Sequence, residues 1–216
     1  MHQSDELKRF KYSFILPFLF VVLLWTIKIF DFSEDLNLFK FGVYPRNISG
    51  LFGVILSPLI HADFNHLLSN SIPLLILGTG IIYFYRELAY RVVGFVWIIS
   101  GFCVWVGARE SYHIGASGLI YGLAAFLFLS GVIRKDIRLA AISLLVVFLY
   151  GGLVWGVFPL FPQISWEYHL FGAFSGFIAA VFYRDRGPRP IEWSWEKEDD
   201  SIDEDYTEDL DNKSIE

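Results

Sequence analysis

Residues 115–133 read GASGLIYGLAAFLFLSGVI, nineteen positions without a charge. A membrane-crossing helix needs about 20 mostly apolar residues, and this run meets that need alone. Five similar runs surround it, at 12–29, 64–83, 90–106, 139–157 and 166–183, each broken mainly by Gly, Ser or Pro. The pattern predicts an all-α membrane protein built as a bundle of six transmembrane helices. Composition points the same way. Hydrophobic residues make up 55% and charged residues 19%, against about 25% charged in soluble domains, so the apolar excess must face lipid. Six spans take just over half of the 216 residues and leave little room for a separate soluble catalytic domain.

The net charge of −6 conceals two regions. Residues 192–216 hold 12 acids and 2 bases, a net −10, while residues 1–191 carry +4. The chain therefore divides into a short N-terminus (1–11), an apolar body (12–185) and an acidic tail (186–216). The tail is poor in aliphatic residues and is expected to be disordered and to serve solubility. No basic stripe exists to release counterions, which excludes a nucleic-acid partner. One cysteine, Cys103, excludes an intrachain disulfide framework, and its apolar neighbours make it packing.

Orientation follows from the bases. Lys8, Arg9, Lys11, Arg86, Arg91, Arg134, Lys135, Arg138, Arg184, Arg186 and Arg189 fall on one side of a six-span chain, and Lys40, Arg46 and Arg109 on the other. Eleven against three predicts both termini in the cytoplasm, with the protein in the inner (plasma) membrane. Lys28, near the end of the first span, is expected to snorkel to the outer interface. The first run lacks a small-residue cleavage site and is expected to stay. The connection after it is the longest. Its apolar part, 51–60, is too short to span and should lie in the interface or partly enter the bundle. Phe158, Pro159, Phe161 and Pro162 suggest an aromatic loop at the outer surface. No repeat of matched broken helices is present, and the spans hold almost no charge, which argues against a transporter or channel.

Polar groups inside a bilayer are costly, so each needs a reason. Most span serines can bond their own helix backbone. Ser117 differs, because Gly115, Ala116 and Gly118 around it let another backbone approach and the site lies near a helix N-terminus with free N–H groups. His169 is followed by Gly172 and Gly176, as Ser117 is followed by Gly118 and Gly122. Both glycine pairs permit close helix approach, and packing on those faces would bring Ser117 and His169 within hydrogen-bond reach. His66 and Asn70 share one helix face behind a plausible N-cap, Asp63, and both can donate to a developing anion. Tyr121 lies one turn after Ser117 and could pack against the His169 ring. A metal site from His61, Asp63 and His66 has the wrong spacing for one helix face and is not expected.

Together these residues resemble the rhomboid family of intramembrane serine proteases. The resemblance rests on His61-x4-His66-x3-Asn70 in the second run, Gly115-x-Ser117-Gly118 with Tyr121 in the fourth, and His169-x-x-Gly172-x3-Gly176 in the sixth. It implies a rhomboid-like six-helix bundle and a Ser–His dyad, with Ser117 as nucleophile and His169 as general base. It also implies an oxyanion hole of His66, Asn70 and backbone N–H at Ala116, with Gly115, Gly118, Tyr121 and Gly172 in support. Substrates would be transmembrane helices of single-span or multi-span proteins in the lipid bilayer, with no cofactor and no metal. An inactive rhomboid-like binder of membrane helices is the alternative, although such proteins usually lack the serine or the histidine. Two positions depart from the pattern. Tyr168 stands where bacterial members often have a small residue. Tyr44-Pro45-Arg46 replaces a Trp-Arg pair, with Arg46 expected to reach lipid headgroups. No carboxylate is expected to back the dyad: Asp136 and Asp185 fall on the cytoplasmic side, and Glu167 should point away from His169.

Overall fold

The computed structural model describes residues 3–149, 155–160 and 164–188. The acidic tail beyond residue 188, residues 150–154 of the predicted fifth span, and Phe161 and Pro162 lie outside the described residues. Among the described residues six longer helices follow one another: α1 (Gln3–Ser33), α2 (Phe64–Tyr85), α3 (Glu87–Gly107), α4 (Ser117–Arg134), α5 (Ile137–Leu149) and α6 (Trp166–Phe182). Among the described residues the only strand-like pairing is one isolated bridge between Val43 and His113. Among the described residues four helices are long and apolar enough to cross a membrane: Asp5–Ser33, Phe64–Tyr85, Leu88–Gly107 and Ser117–Arg134. Among the described residues the expected count of six is not confirmed. Helix α5 has 13 described residues, and α6 has 17, the lower limit for a crossing.

Helix α4 is the centre of the bundle. Seventy-two per cent of its apolar window is buried, against 28% for α1 at the periphery. The glycines explain how α4 and α6 meet. A Cβ on Gly172 would fall on the Gly118 backbone, and one on Gly176 on the Gly122 backbone. Two glycine stripes therefore touch backbone to backbone, as close-packed membrane helices do. Pro17 sits inside α1 and rests on Gly78 of α2, where a Cβ would lie 3.1 Å from the proline ring.

The long connection after α1 forms short helical turns over Ser49–Leu59. Gly53, Val54, Ser57 and Pro58 are buried, so this segment enters the bundle in part. Two expectations change here, for Lys28 and for the start of α4. Lys28 does not snorkel: its ammonium is buried and donates to Asp31 Oδ2 and to the Ala62 carbonyl, both at 3.0 Å. Arg46 stays exposed while donating to the Ala108 carbonyl at 2.9 Å and pairing with exposed Glu110 at 3.4 Å. It thus ties the first loop to the α3–α4 connection. Helix α4 begins at Ser117, two residues later than the apolar run, because Gly115 has φ +109° and cannot be helical.

Candidate active site

Ser117 is the first residue of α4, and His169 lies in the first turn of α6. The close glycine contact sets these helix starts side by side. Ser117 Oγ and His169 Nε2 are 2.9 Å apart, and both residues are buried. His169 Nδ1 lies 2.8 Å from the Gly156 carbonyl. A carbonyl oxygen only accepts, so Nδ1 carries the proton. Nε2 is then bare and accepts from the Ser117 hydroxyl, which is the tautomer a general base requires. The Tyr121 ring stacks on the imidazole, with centroids 4.2 Å apart and planes 9° from parallel.

The Gly115 conformation is available to glycine and strained for other residues. A Cβ there would also lie 2.7 Å from His66 Cε1. Its absence lets the His66 ring stand one residue away from Ala116 and two from Ser117. Asp63 caps α2 by accepting the His66 N–H at 2.8 Å. Asn70 is buried one turn further on and donates one amide hydrogen to the His66 carbonyl at 3.0 Å, leaving its second. The structure therefore brings His66, Asn70, Gly115, Ser117, Tyr121 and His169 to one place. Ala116 departs from expectation: its N–H donates to His61 Nε2 at 3.3 Å. The α4 N-terminus still offers unpaired backbone N–H groups at Ser117 and beyond.

Two contacts that the residue pattern did not indicate hold this loop. The Gly115 N–H donates to the Ser57 carbonyl at 2.9 Å, and the Ser57 and Tyr168 hydroxyls share a hydrogen bond of 2.7 Å. Tyr168 therefore has its own place. Its ring fills the space over Gly118, where a Cβ would be 2.5 Å from Cδ2, and it does not hold α4 and α6 apart. Glu167 is buried and pairs with Arg109 Nε at 3.3 Å rather than with His169. Among the described residues no group of three His, Cys, Asp or Glu could hold a metal ion.

His61 lies in the loop ahead of α2. Burial holds its imidazole down to about 3, and the nearby His66 charge adds to this. Accepting the Ala116 N–H requires a bare Nε2, and the protonated Nδ1 has no well-aligned partner beside the Leu59 carbonyl. A histidine kept neutral by folding binds fewer protons folded than unfolded. Its destabilising effect is absent above the ordinary value near 6.5, grows as pH falls below it, and levels off near 3. Acidifying from about pH 7 to about pH 5 should cost on the order of 2 kcal/mol. Thermal melts of the detergent-solubilised protein across that range would show it. His61→Gln, which keeps an acceptor but cannot titrate, should flatten the dependence; an unchanged slope would remove His61 as its source.

Residues 49–186 match the Rhomboid domain family model. An uncharacterised protein of Mycobacterium tuberculosis is 38% identical over 170 residues, covering 74% of this chain and 71% of its own length. An uncharacterised protein of Mycobacterium leprae is 36% identical over 171 residues, covering 74% of this chain and 67% of its own. A protein of Acanthamoeba polyphaga mimivirus, provisionally named as a rhomboid protein, is 27% identical over 172 residues, 76% of this chain and 89% of its own length.

Proposed function

Since the chain belongs to the rhomboid family and is an integral membrane protein, we propose that it is an intramembrane serine endopeptidase cutting transmembrane helices with a Ser117–His169 dyad. The observation that carries this is the 2.9 Å contact between Ser117 Oγ and a His169 ring whose other nitrogen is held by a carbonyl. Ser117 Oγ attacks the scissile carbonyl carbon as its proton passes to Nε2. The oxyanion forms against the His66 side chain, the free Asn70 amide hydrogen and the Ser117 N–H, with Gly115 leaving room. Collapse expels the amine, which takes the proton from Nε2, and leaves an acyl-enzyme on Ser117. Water, deprotonated by His169, then releases the acid and restores the serine. The Gly156 carbonyl and the Tyr121 ring together orient the imidazole, the part an aspartate plays in a triad.

The distribution of bases supports a topology with both termini in the cytoplasm, the body, 12–185, in the inner membrane and the dyad near the outer face. Substrates are membrane proteins whose helices can unwind locally. A fluorophosphonate probe should label the purified protein once, at Ser117, and Ser117→Ala should abolish labelling. No labelling of the wild-type protein would favour the inactive helix-binding alternative.

A further inference from the structure

A second polar cluster lies at the start of α6, apart from the reacting atoms. His113 is fully buried four residues before Ser117. Its backbone is fixed to the first loop: Val43 N–H donates to its carbonyl at 3.0 Å, and its own N–H donates to the Val43 carbonyl at 2.9 Å. Nε2 lies 3.0 Å from the Arg109 carbonyl, so Nε2 carries a proton. Burial holds the ring below its ordinary value, so it is neutral and Nδ1 is an acceptor. The group facing Nδ1, at 2.5 Å, is the Ser165 hydroxyl.

Ser165 is the N-cap of the helix that carries His169, yet its side chain makes no capping bond. The hydroxyl is committed to His113. Arg109 adds two links to the same turn, donating to the Ile164 carbonyl at 2.6 Å and pairing with buried Glu167 at 3.3 Å. One end of every link is four or eight residues before Ser117. The other end is two to five residues before His169.

We propose that His113, with Arg109, is a positioning residue that clamps the start of α6 to the loop ahead of Ser117 and so fixes the reach of His169 to the nucleophile. This inference rests on the dyad reading above. Neither side chain is a hydrogen-bond partner of Ser117 Oγ or of the His169 ring. The glycine contact sets how near α4 and α6 lie; the clamp sets the rotation and height of the α6 first turn. A displacement of about 1 Å at a reacting pair can cost about 100-fold in rate, so a partial loosening should be visible in turnover.

The test uses the full chain in liposomes with a single-span substrate, and begins with Ser165→Ala. That change removes the hydroxyl facing His113 and no capping bond. The expected result is a kcat about tenfold lower with KM little changed, a similar slowing of fluorophosphonate labelling, and recovery in Ser165→Thr, which keeps the hydroxyl. His113→Phe should match Ser165→Ala, and His113→Asn, which keeps an acceptor at the Nδ1 position, should recover in part. Wild-type labelling with Ser165→Ala at full kcat overturns the clamp alone. A loss that Ser165→Thr does not restore, tracking a lowered melting temperature, also overturns it and leaves a structural role. Wild-type protein without Ser117 labelling overturns the dyad reading and the clamp with it.

Discussion

Ser117→Ala and His169→Ala should each lower cleavage of a single-span substrate by about four orders of magnitude, and the double variant should be no worse than either. The reason is the single hydrogen bond of 2.9 Å that joins them. Without Oγ there is no nucleophile. Without Nε2 there is no acceptor for its proton, and a neutral serine hydroxyl attacks an amide poorly. Two groups acting in one step lose their function together, so their effects do not add. Purified protein in liposomes, assayed for a cleaved fragment, gives the measurement. Either single variant at wild-type rate would remove the dyad. Additive losses in the double variant would mean that each residue acts separately, for instance through packing.

The helices were legible because lipid demands long uncharged runs, and 115–133 is one of them. The pairing of Ser117 with His169 was legible because glycines four apart mark faces that touch. Contacts made through backbone were not. The Gly156 carbonyl that fixes the His169 tautomer has no side-chain signature, and the apolar pattern puts Gly156 inside the fifth run, 139–157. Ala116 reads as a donor to substrate, but its N–H is taken by His61, whose place in the His61-x4-His66 motif does not mark it as an acceptor for that group. Charged residues gave the least reliable guide to position. Lys28 reads as reaching for the interface, yet it is buried, because the Asp31 carboxylate and the Ala62 carbonyl satisfy its ammonium within the protein. His113 carried no pattern at all. Its role depends on a bridge to Val43, seventy positions earlier, and on Ser165, fifty-two later.

The glycine stripe allows a test that does not touch the reacting atoms. Gly172→Ala adds one methyl group, and the atom it meets is the Gly118 carbonyl oxygen, a backbone group that no side-chain rotation can move aside. The helices must separate or slide. Overpacking of this kind costs about 1–3 kcal/mol, and the separation falls beside Ser117, since Gly118 is the next residue. The expected outcome is a lower melting temperature together with an activity loss of about 100-fold. Gly94→Ala supplies the control. That glycine lies within α3 with nothing within 4 Å of where its Cβ would go, so the change should leave cleavage untouched and, through helix propensity, raise stability by up to about 1 kcal/mol. Equal behaviour of the two variants would mean that α4 and α6 do not hold the dyad by backbone contact. A Gly172→Ala protein that melts lower but cleaves at the wild-type rate would separate the stripe's part in folding from any part in catalysis, and would leave the Gly156 carbonyl, the Tyr121 ring and the α6 clamp to set the dyad geometry.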